Sequence, residues 1–215
     1  MVKDNLEKIR ARIASAAGKA GRDSSEIRLV CVTKGVSLEQ IQEAVQCGVR
    51  EIGENRVQEA QEKVSLGRGL RWHLIGHLQR NKVRPALEIF DVIQSVDRLE
   101  LAEALQKMAE SMGRSVEVLV QVNAARVETR FGAIPEETPA LVEKLRQFSC
   151  LRLTGLMTMA PYAEDPETAR PVFRQVRELG KQLGLKELSM GMSQDFEVAV
   201  QEGATMIRIG SAIFQ

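Results

Sequence analysis

Several absences narrow this chain before any motif is read. Its 215 residues include only three cysteines, Cys31, Cys47 and Cys150, far apart and set in apolar or helical surroundings. That spacing is neither a disulfide framework nor a metal pattern, and it reads as small buried side chains in a reducing cytosol. No apolar run approaches the length that spans a bilayer. The N-terminal stretch carries Lys3, Asp4, Glu7, Lys8 and Arg10 with no apolar h-region, so it does not read as a secretory signal. The net charge is only +1, which leaves no broad basic footprint for nucleic acid or an anionic membrane. No Pro/Gly-rich linker or change of composition divides the chain, so one domain over residues 1–215 is expected, in a cytoplasmic protein. No G-x-G-x-x-G follows the first apolar run, which weakens a dinucleotide-binding reading.

What is present is a strict alternation. Leu6, Ile9, Ile13 and Ala16 fall at helical spacing over residues 2–20, ahead of a first strand at 27–33. Ser37 with Gln40 three residues on resembles a capping box and opens a helix that stops at Gly48. Further strands are expected at 49–53, 71–78, 91–96, 116–123, 151–159, 187–192 and 205–209. Helices are expected between them: 56–66, one ending at Phe90, one capped by Asp97 and ending at Gly113, 135–148, a long one opened by Asp165-Pro166, and 193–202. Pro171 is awkward inside the long helix and marks an alternative first turn. From Gly210 to Gln215 there is room for one more turn. Eight strands, each followed by a helix, imply parallel pairing through right-handed crossovers. The expected class is therefore α/β, a single (β/α)8 TIM-type barrel with an extra N-terminal helix; an open doubly wound sheet is the alternative.

In such a barrel the chemistry collects where the strands end. Those ends offer Lys34, Glu54 and Asn55, His77, Asn123, Met157 and Thr158, Ser193, and Arg208, Gly210 and Ser211. Lys34 closes the apolar run Leu29–Thr33; a desolvated lysine there would suit Schiff-base chemistry, while the plainer reading is a side chain snorkelling off a strand end. The last two loops resemble a barrel phosphate site, with Ser193 capping a helix, Gly210 allowing close backbone approach and Ser211 adding a hydroxyl. Taken singly, Ser193 is equally an N-cap and Gly210 equally a turn. Together with a lysine opposite, they favour a ligand carrying both a phosphate and an aldehyde, and pyridoxal 5′-phosphate (PLP) is such a ligand. Arg208, always charged and only a donor, then faces the pyridine nitrogen; otherwise it pairs with a carboxylate such as Glu54. His73 and His77 share one face of their strand, but no third ligand of suitable spacing follows, so zinc is rejected. His77 is read either as a hydrogen-bonding neighbour of the ligand or as a satisfied core histidine. Arg130, Lys82 and Arg84 read as solvated charges.

Several motifs carry a closer resemblance. They are Cys-Val-Thr-Lys34, Ile52-Gly-Glu-Asn55, Trp72-His-Leu-Ile-Gly-His-Leu-Gln-Arg-Asn-Lys82, Gly155-Leu-Met-Thr158, Leu188-Ser-Met-Gly-Met-Ser193-Gln-Asp195-Phe and Arg208-Ile-Gly-Ser211-Ala-Ile-Phe214. Over nearly its whole length the chain resembles the PLP homeostasis proteins (the YggS/PROSC family), akin to the N-terminal barrel of alanine racemase. The resemblance implies PLP held as a Schiff base on Lys34, Arg208 at the pyridine nitrogen, and phosphate contacts from Ser193, Gly210 and Ser211. It also implies a cytosolic, mostly monomeric carrier without established turnover, for which apo PLP-dependent enzymes are candidate acceptors. Two positions depart from the family pattern: Val36 stands where many members carry a second lysine, and Arg130 where members often have a lysine before Phe-Gly. The chain also stops about where a final barrel helix would start, which suggests truncation or a short natural end.

Two other functions fit parts of the pattern. A PLP-dependent amino-acid racemase needs an acid/base group on each face of the substrate carbon. Lys34 could serve one face, but the only tyrosine, Tyr162, lies in the loop after the sixth strand. A cofactor-free class I aldolase would use Lys34 directly. The carrier reading assigns no catalytic residue and no metal ligand.

Overall fold

The computed structural model describes residues 1–67 and 69–215. Eight parallel strands close into a barrel in sequence order. They are β1 (Arg28–Val32), β2 (Glu51–Glu54), β3 (Arg71–Leu74), β4 (Val92–Val96), β5 (Val116–Gln121), β6 (Leu151–Met157), β7 (Glu187–Ser189) and β8 (Met206–Ile209). β1 pairs with both β2 and β8, which seals the ring and leaves no sheet edge. The doubly wound alternative is thereby excluded.

Because successive side chains on a strand point to opposite faces, each strand serves two environments. Outward residues such as Cys31, Ile52, Trp72, Ile93, Val118, Val120, Leu156, Ile207 and Ile209 join one large core with the helices. Inward residues Val30, Val92, Leu119, Met157 and Met206 form a separate small cluster inside the barrel. Near-continuous apolar strand sequences follow from burial on both faces.

The helices fill the crossovers: α2 (Leu38–Gln46), α3 (Val57–Lys63), α4 (Val83–Ile89), α5 (Leu99–Ser111), α6 (Thr138–Leu145), α7 (Arg170–Gln182) and α8 (Phe196–Gln201). Ser37 does cap α2, its hydroxyl accepting the Gln40 N–H at 3.4 Å. α7 begins at Arg170, so Pro171 sits in its first turn, where a missing N–H costs no hydrogen bond, and a short 3₁₀ turn (Pro166–Ala169) precedes it. Asp97 does not cap α5. Its carboxylate is taken by Arg98 Nη1 at 2.5 Å, and Arg98 becomes the cap position with no side-chain bond. β3 ends at Leu74 instead of continuing to Leu78. Ile75 N–H still donates to Glu54 O at 2.9 Å, and beyond it Gly76 passes so close to Asn55 that a Cβ would lie 2.2 Å from its carbonyl oxygen.

After β8 the described residues form the four-residue α9 (Ser211–Phe214). The place of an eighth barrel helix is taken by α1 (Val2–Lys19), which packs against α2, α8 and α9. Its inner face is Leu6, Ile9, Ile13 and Ala16, as the spacing implies, and Asn5 Nδ2 donates to Ile213 O at 3.0 Å. Among the described residues no helix is long and apolar enough to cross a membrane.

The cysteines differ in setting: Cys31 is fully buried, whereas Cys47 and Cys150 are only half-buried. Burial, aided by the charge of Glu54, pushes the Cys31 thiol up to about 12. Thiolate is the reactive form. Titration of the native protein with a disulfide reagent at neutral pH should therefore label Cys47 and Cys150, with Cys31 reacting only after denaturation; native labelling of Cys31 would contradict this packing.

Candidate functional site

A cavity of about 530 Å3 opens at the C-terminal ends of the strands, within the size range of small-molecule sites. Lys34, Asn55, Ser193, Arg208, Gly210 and Ser211 all line it, although they come from four different strand ends. His77 does not. It lies past the end of β3, stacks on Phe131 with ring centroids 3.7 Å apart, and lines a neighbouring pocket beside Asn55. Burial lowers the His77 imidazole below its ordinary range, opposed by the Asp97 charge, and Nδ1 lies 3.8 Å from Asp97 without hydrogen-bonding it.

Lys34 sits two residues beyond β1, in a turn where Gly35 takes a φ of +67°. The side chain is exposed, so the desolvation expected at a strand end is absent. What holds this turn lies behind it. Thr33 faces outward, its hydroxyl 2.5 Å from Glu54 Oε1, and Lys63 Nζ donates both to that carboxylate (2.7 Å) and to the Thr33 carbonyl (2.6 Å). Glu54 is fully buried and Lys63 nearly so. The strand-2 carboxylate therefore turns away from the mouth and pairs with Lys63, not with Arg208. Lys63 is invisible to sequence reasoning because it ends an ordinary amphipathic helix.

Arg208 points inward from β8 and is only 4% exposed. Nη1 donates to Ser189 Oγ at 2.6 Å and Nη2 to Thr158 O at 2.8 Å. Burial pushes its guanidinium down to about 10, opposed by the charge of Asp195. Asp195 in turn is raised by burial, with the Met192 N–H bond and the Arg208 charge working against that rise.

Ser193 is not a helix cap. α8 begins only at Phe196 and Asp195 occupies the cap position, its Oδ1 accepting the Met192 N–H at 2.6 Å to close the intervening turn. Ser193 Oγ instead bridges to the last loop, 3.0 Å from Ser211 Oγ and 3.4 Å from the Ala212 N–H. Gly210 is bare for a reason inside the barrel: a Cβ there would stand 2.9 Å from the Val32 carbonyl oxygen.

Two residues take other parts than their sequence positions suggest. Arg130 is no solvated charge; its Nη1 donates to Met159 O and Ala160 O at 3.0 and 2.9 Å and ties the loop after β5 to that after β6 at the cavity wall. Asn123 turns into its own loop, donating to Val127 O and Arg130 O and accepting the Val127 N–H.

The donor set fits a phosphorylated aldehyde. Lys34 supplies a solvent-reachable amine, Ser193, Ser211 and their loop N–H groups supply a cluster of donors, and Arg208 supplies a buried cation.

Comparison with known proteins follows this geometry. The family model described as "Alanine racemase, N-terminal domain" matches residues 5–215. A "Pyridoxal phosphate homeostasis protein" of Aquifex aeolicus is 41% identical over 219 residues, covering 98% of this chain and 96% of that protein. One of Pseudomonas aeruginosa is 40% identical over 217 residues, covering 99% and 94%. PipY of Synechococcus elongatus, solved with PLP bound, superposes with a TM-score of 0.86 at 36% identity over 100% of both chains.

The buried ion pair behind Lys34 yields a stability test. Lys63→Met strands the Glu54 carboxylate, and breaking a buried pair in this way costs roughly 3–5 kcal/mol. Urea unfolding should show that loss, and Glu54→Leu combined with Lys63→Met should recover most of it. A single mutant of wild-type stability would show that the pair is not buried as described.

Proposed function

The chain belongs to the alanine racemase N-terminal domain family and, within it, to the pyridoxal phosphate homeostasis proteins, and from that membership we propose that it binds PLP on Lys34 and takes part in PLP homeostasis as a carrier. The observation that carries this reading is the convergence of Lys34, Arg208 and the Ser193–Ser211 hydroxyl pair on one cavity. When bound, PLP supplies an aldehyde that condenses with amines and a ring that can delocalise negative charge.

The residues then divide the work. Lys34 would hold the aldehyde covalently, being the only lysine among the described residues on the cavity wall. Ser193, Ser211 and the N–H groups at Gly210–Ala212 suit the phosphate. Arg208 cannot accept a hydrogen bond. It therefore suits the ring nitrogen as an acceptor without protonating it, which restrains electron withdrawal by the ring. Asn55 lines the same wall. With Arg130 in place of a lysine, the loop after β5 offers no second amine for transfer. A cytoplasmic monomer that passes PLP to apo enzymes accords with these features.

A second reading, weak racemase activity, has one observation in its favour: Tyr162 lines the cavity rim. It is 74% exposed, and among the described residues no hydrogen bond fixes its hydroxyl. The aldolase reading gains nothing from a buried arginine that no carboxylate neutralises by direct contact.

The test is the visible spectrum of the purified protein with PLP, before and after borohydride, for wild type and Lys34→Ala. A band that borohydride bleaches and the variant lacks is expected, together with no alanine racemisation above the free-PLP rate. A colourless protein that gains no band with PLP would overturn the reading. Robust racemisation abolished by Tyr162→Phe would replace the carrier with the enzyme.

A further inference from the structure

The interior of a (β/α)8 barrel is ordinarily filled by branched apolar side chains. Here a polar diagonal crosses it. It begins at Arg208, whose Nη1 donates to Ser189 Oγ at 2.6 Å, and Ser189 donates to Gln94 Oε1 at 2.6 Å. Gln94 Nε2 stands 2.9 Å from His73 Nδ1, and His73 Nε2 lies 2.5 Å from Glu51 Oε2. The links come from β8, β7, β4, β3 and β2, and Ser189, Gln94 and His73 are all fully buried. The mechanism of ligand holding uses Arg208 alone and leaves the other four unexplained.

The two ends dictate the direction of every bond between them. A guanidinium has donors only, so Ser189 Oγ must accept from Arg208. The single Ser189 proton then goes to Gln94 Oε1, which turns the Gln94 amide NH2 toward His73. His73 Nδ1 must therefore present its lone pair, and the ring proton must sit on Nε2, where the Glu51 carboxylate accepts it. Burial raises the Glu51 carboxyl, but the hydrogen bond from His73 and the charges of Arg28 and Arg71 work against that, and the carboxyl is held below the usual range. If Nδ1 carried a proton, the Gln94 amide would have to turn over and the Ser189 proton would lose its acceptor.

We propose that Ser189, Gln94, His73 and Glu51 are positioning residues that hold Arg208 at the cavity, and that the neutral Nε2–H form of His73 sets the polarity of the whole chain. This deepens the carrier reading and rests on it only for the ligand readout; the tautomer stands apart from it. Gln94→Glu offers His73 an acceptor on both sides, so it pulls a proton onto Nδ1. Gln94→Leu cuts Arg208 and Ser189 off from His73. Glu51→Gln keeps an acceptor for Nε2–H, while Glu51→Leu removes it.

The first measurement is the long-range 1H–15N correlation spectrum of the ligand-free protein, with the His73 signals assigned by comparison with a His77→Gln variant. Wild type should show a protonated Nε2 and a bare Nδ1, and Gln94→Glu should show a proton on Nδ1. The second is PLP loss into excess apo-acceptor, with the position of the visible band. Gln94→Leu should release PLP about tenfold faster, the scale expected for one lost hydrogen bond to a charged group's support, and should shift the band. The control is Leu119→Ala, which opens the apolar cluster inside the barrel and removes no hydrogen-bonding group. Glu51→Gln should stay near wild type and Glu51→Leu should follow Gln94→Leu. An Nδ1–H or doubly protonated His73 in wild type overturns the proposal, as does a Gln94→Leu protein that matches Leu119→Ala in both band and release. Failure of wild type to take up PLP would defeat the carrier reading, and the tautomer would still decide the chain.

Discussion

A guanidinium enclosed by a ring of β-strands sets the terms for much of this molecule. Its charge cannot be shed by ordinary proton loss, and burial without partners is expensive, so the surrounding strands must present acceptors. Thr158 gives a backbone carbonyl, Ser189 a hydroxyl and Asp195 a compensating charge. Each of these demands something in turn. The Thr158 hydroxyl is engaged by Val122 O at 2.8 Å, the Ser189 proton by Gln94, and Asp195 by the turn at Met192. Burying one cation at the mouth thus extends polar requirements down into the barrel, where branched apolar side chains ordinarily dominate.

The fold was largely legible because strand and helix periods alternate without interruption, and because Pro171 and the Ser37–Gln40 pattern mark their elements by local chemistry alone. Boundaries slipped where the cause lies elsewhere in space. β3 stops at Leu74, and the close approach of Gly76 to the Asn55 backbone just beyond it is not announced by a lone glycine in an otherwise strand-like run. Asp97 looks like a cap until Arg98 takes its carboxylate. The site was legible at strand ends, where barrel geometry brings distant residues together; six of the seven expected ligand-holding residues meet at one cavity, and only His77 falls outside it. The supporting residues were not legible. Lys63, Gln94, Ser189 and Glu51 matter through partners on other strands, and a single polar residue alternating with apolar ones reads only as a strand.

Two separate polar systems flank Lys34 and Arg208, one outside the barrel and one inside. Outside, Glu54 and Lys63 brace the peptide that leads into Lys34. Inside, the chain from Glu51 reaches Arg208. Both systems draw on β2, whose alternation sends Glu51 and Glu54 to opposite faces of one short strand. Through that shared strand the lysine turn is braced from beneath while the Lys34 side chain itself stays exposed.

The packing of α1 against α2, α8 and α9 has a consequence for the order of assembly. During synthesis α1 emerges long before its partners α8 and α9, and its Asn5 waits for Ile213. Until then the amphipathic face of Leu6, Ile9 and Ile13 has only α2 and the neighbouring 3₁₀ turn to pack against, and ring closure, Arg208 burial and the Ser193–Ser211 bridge wait for the same late segment. A nascent chain caught before β8 is released has neither a sealed barrel nor a place for a ligand.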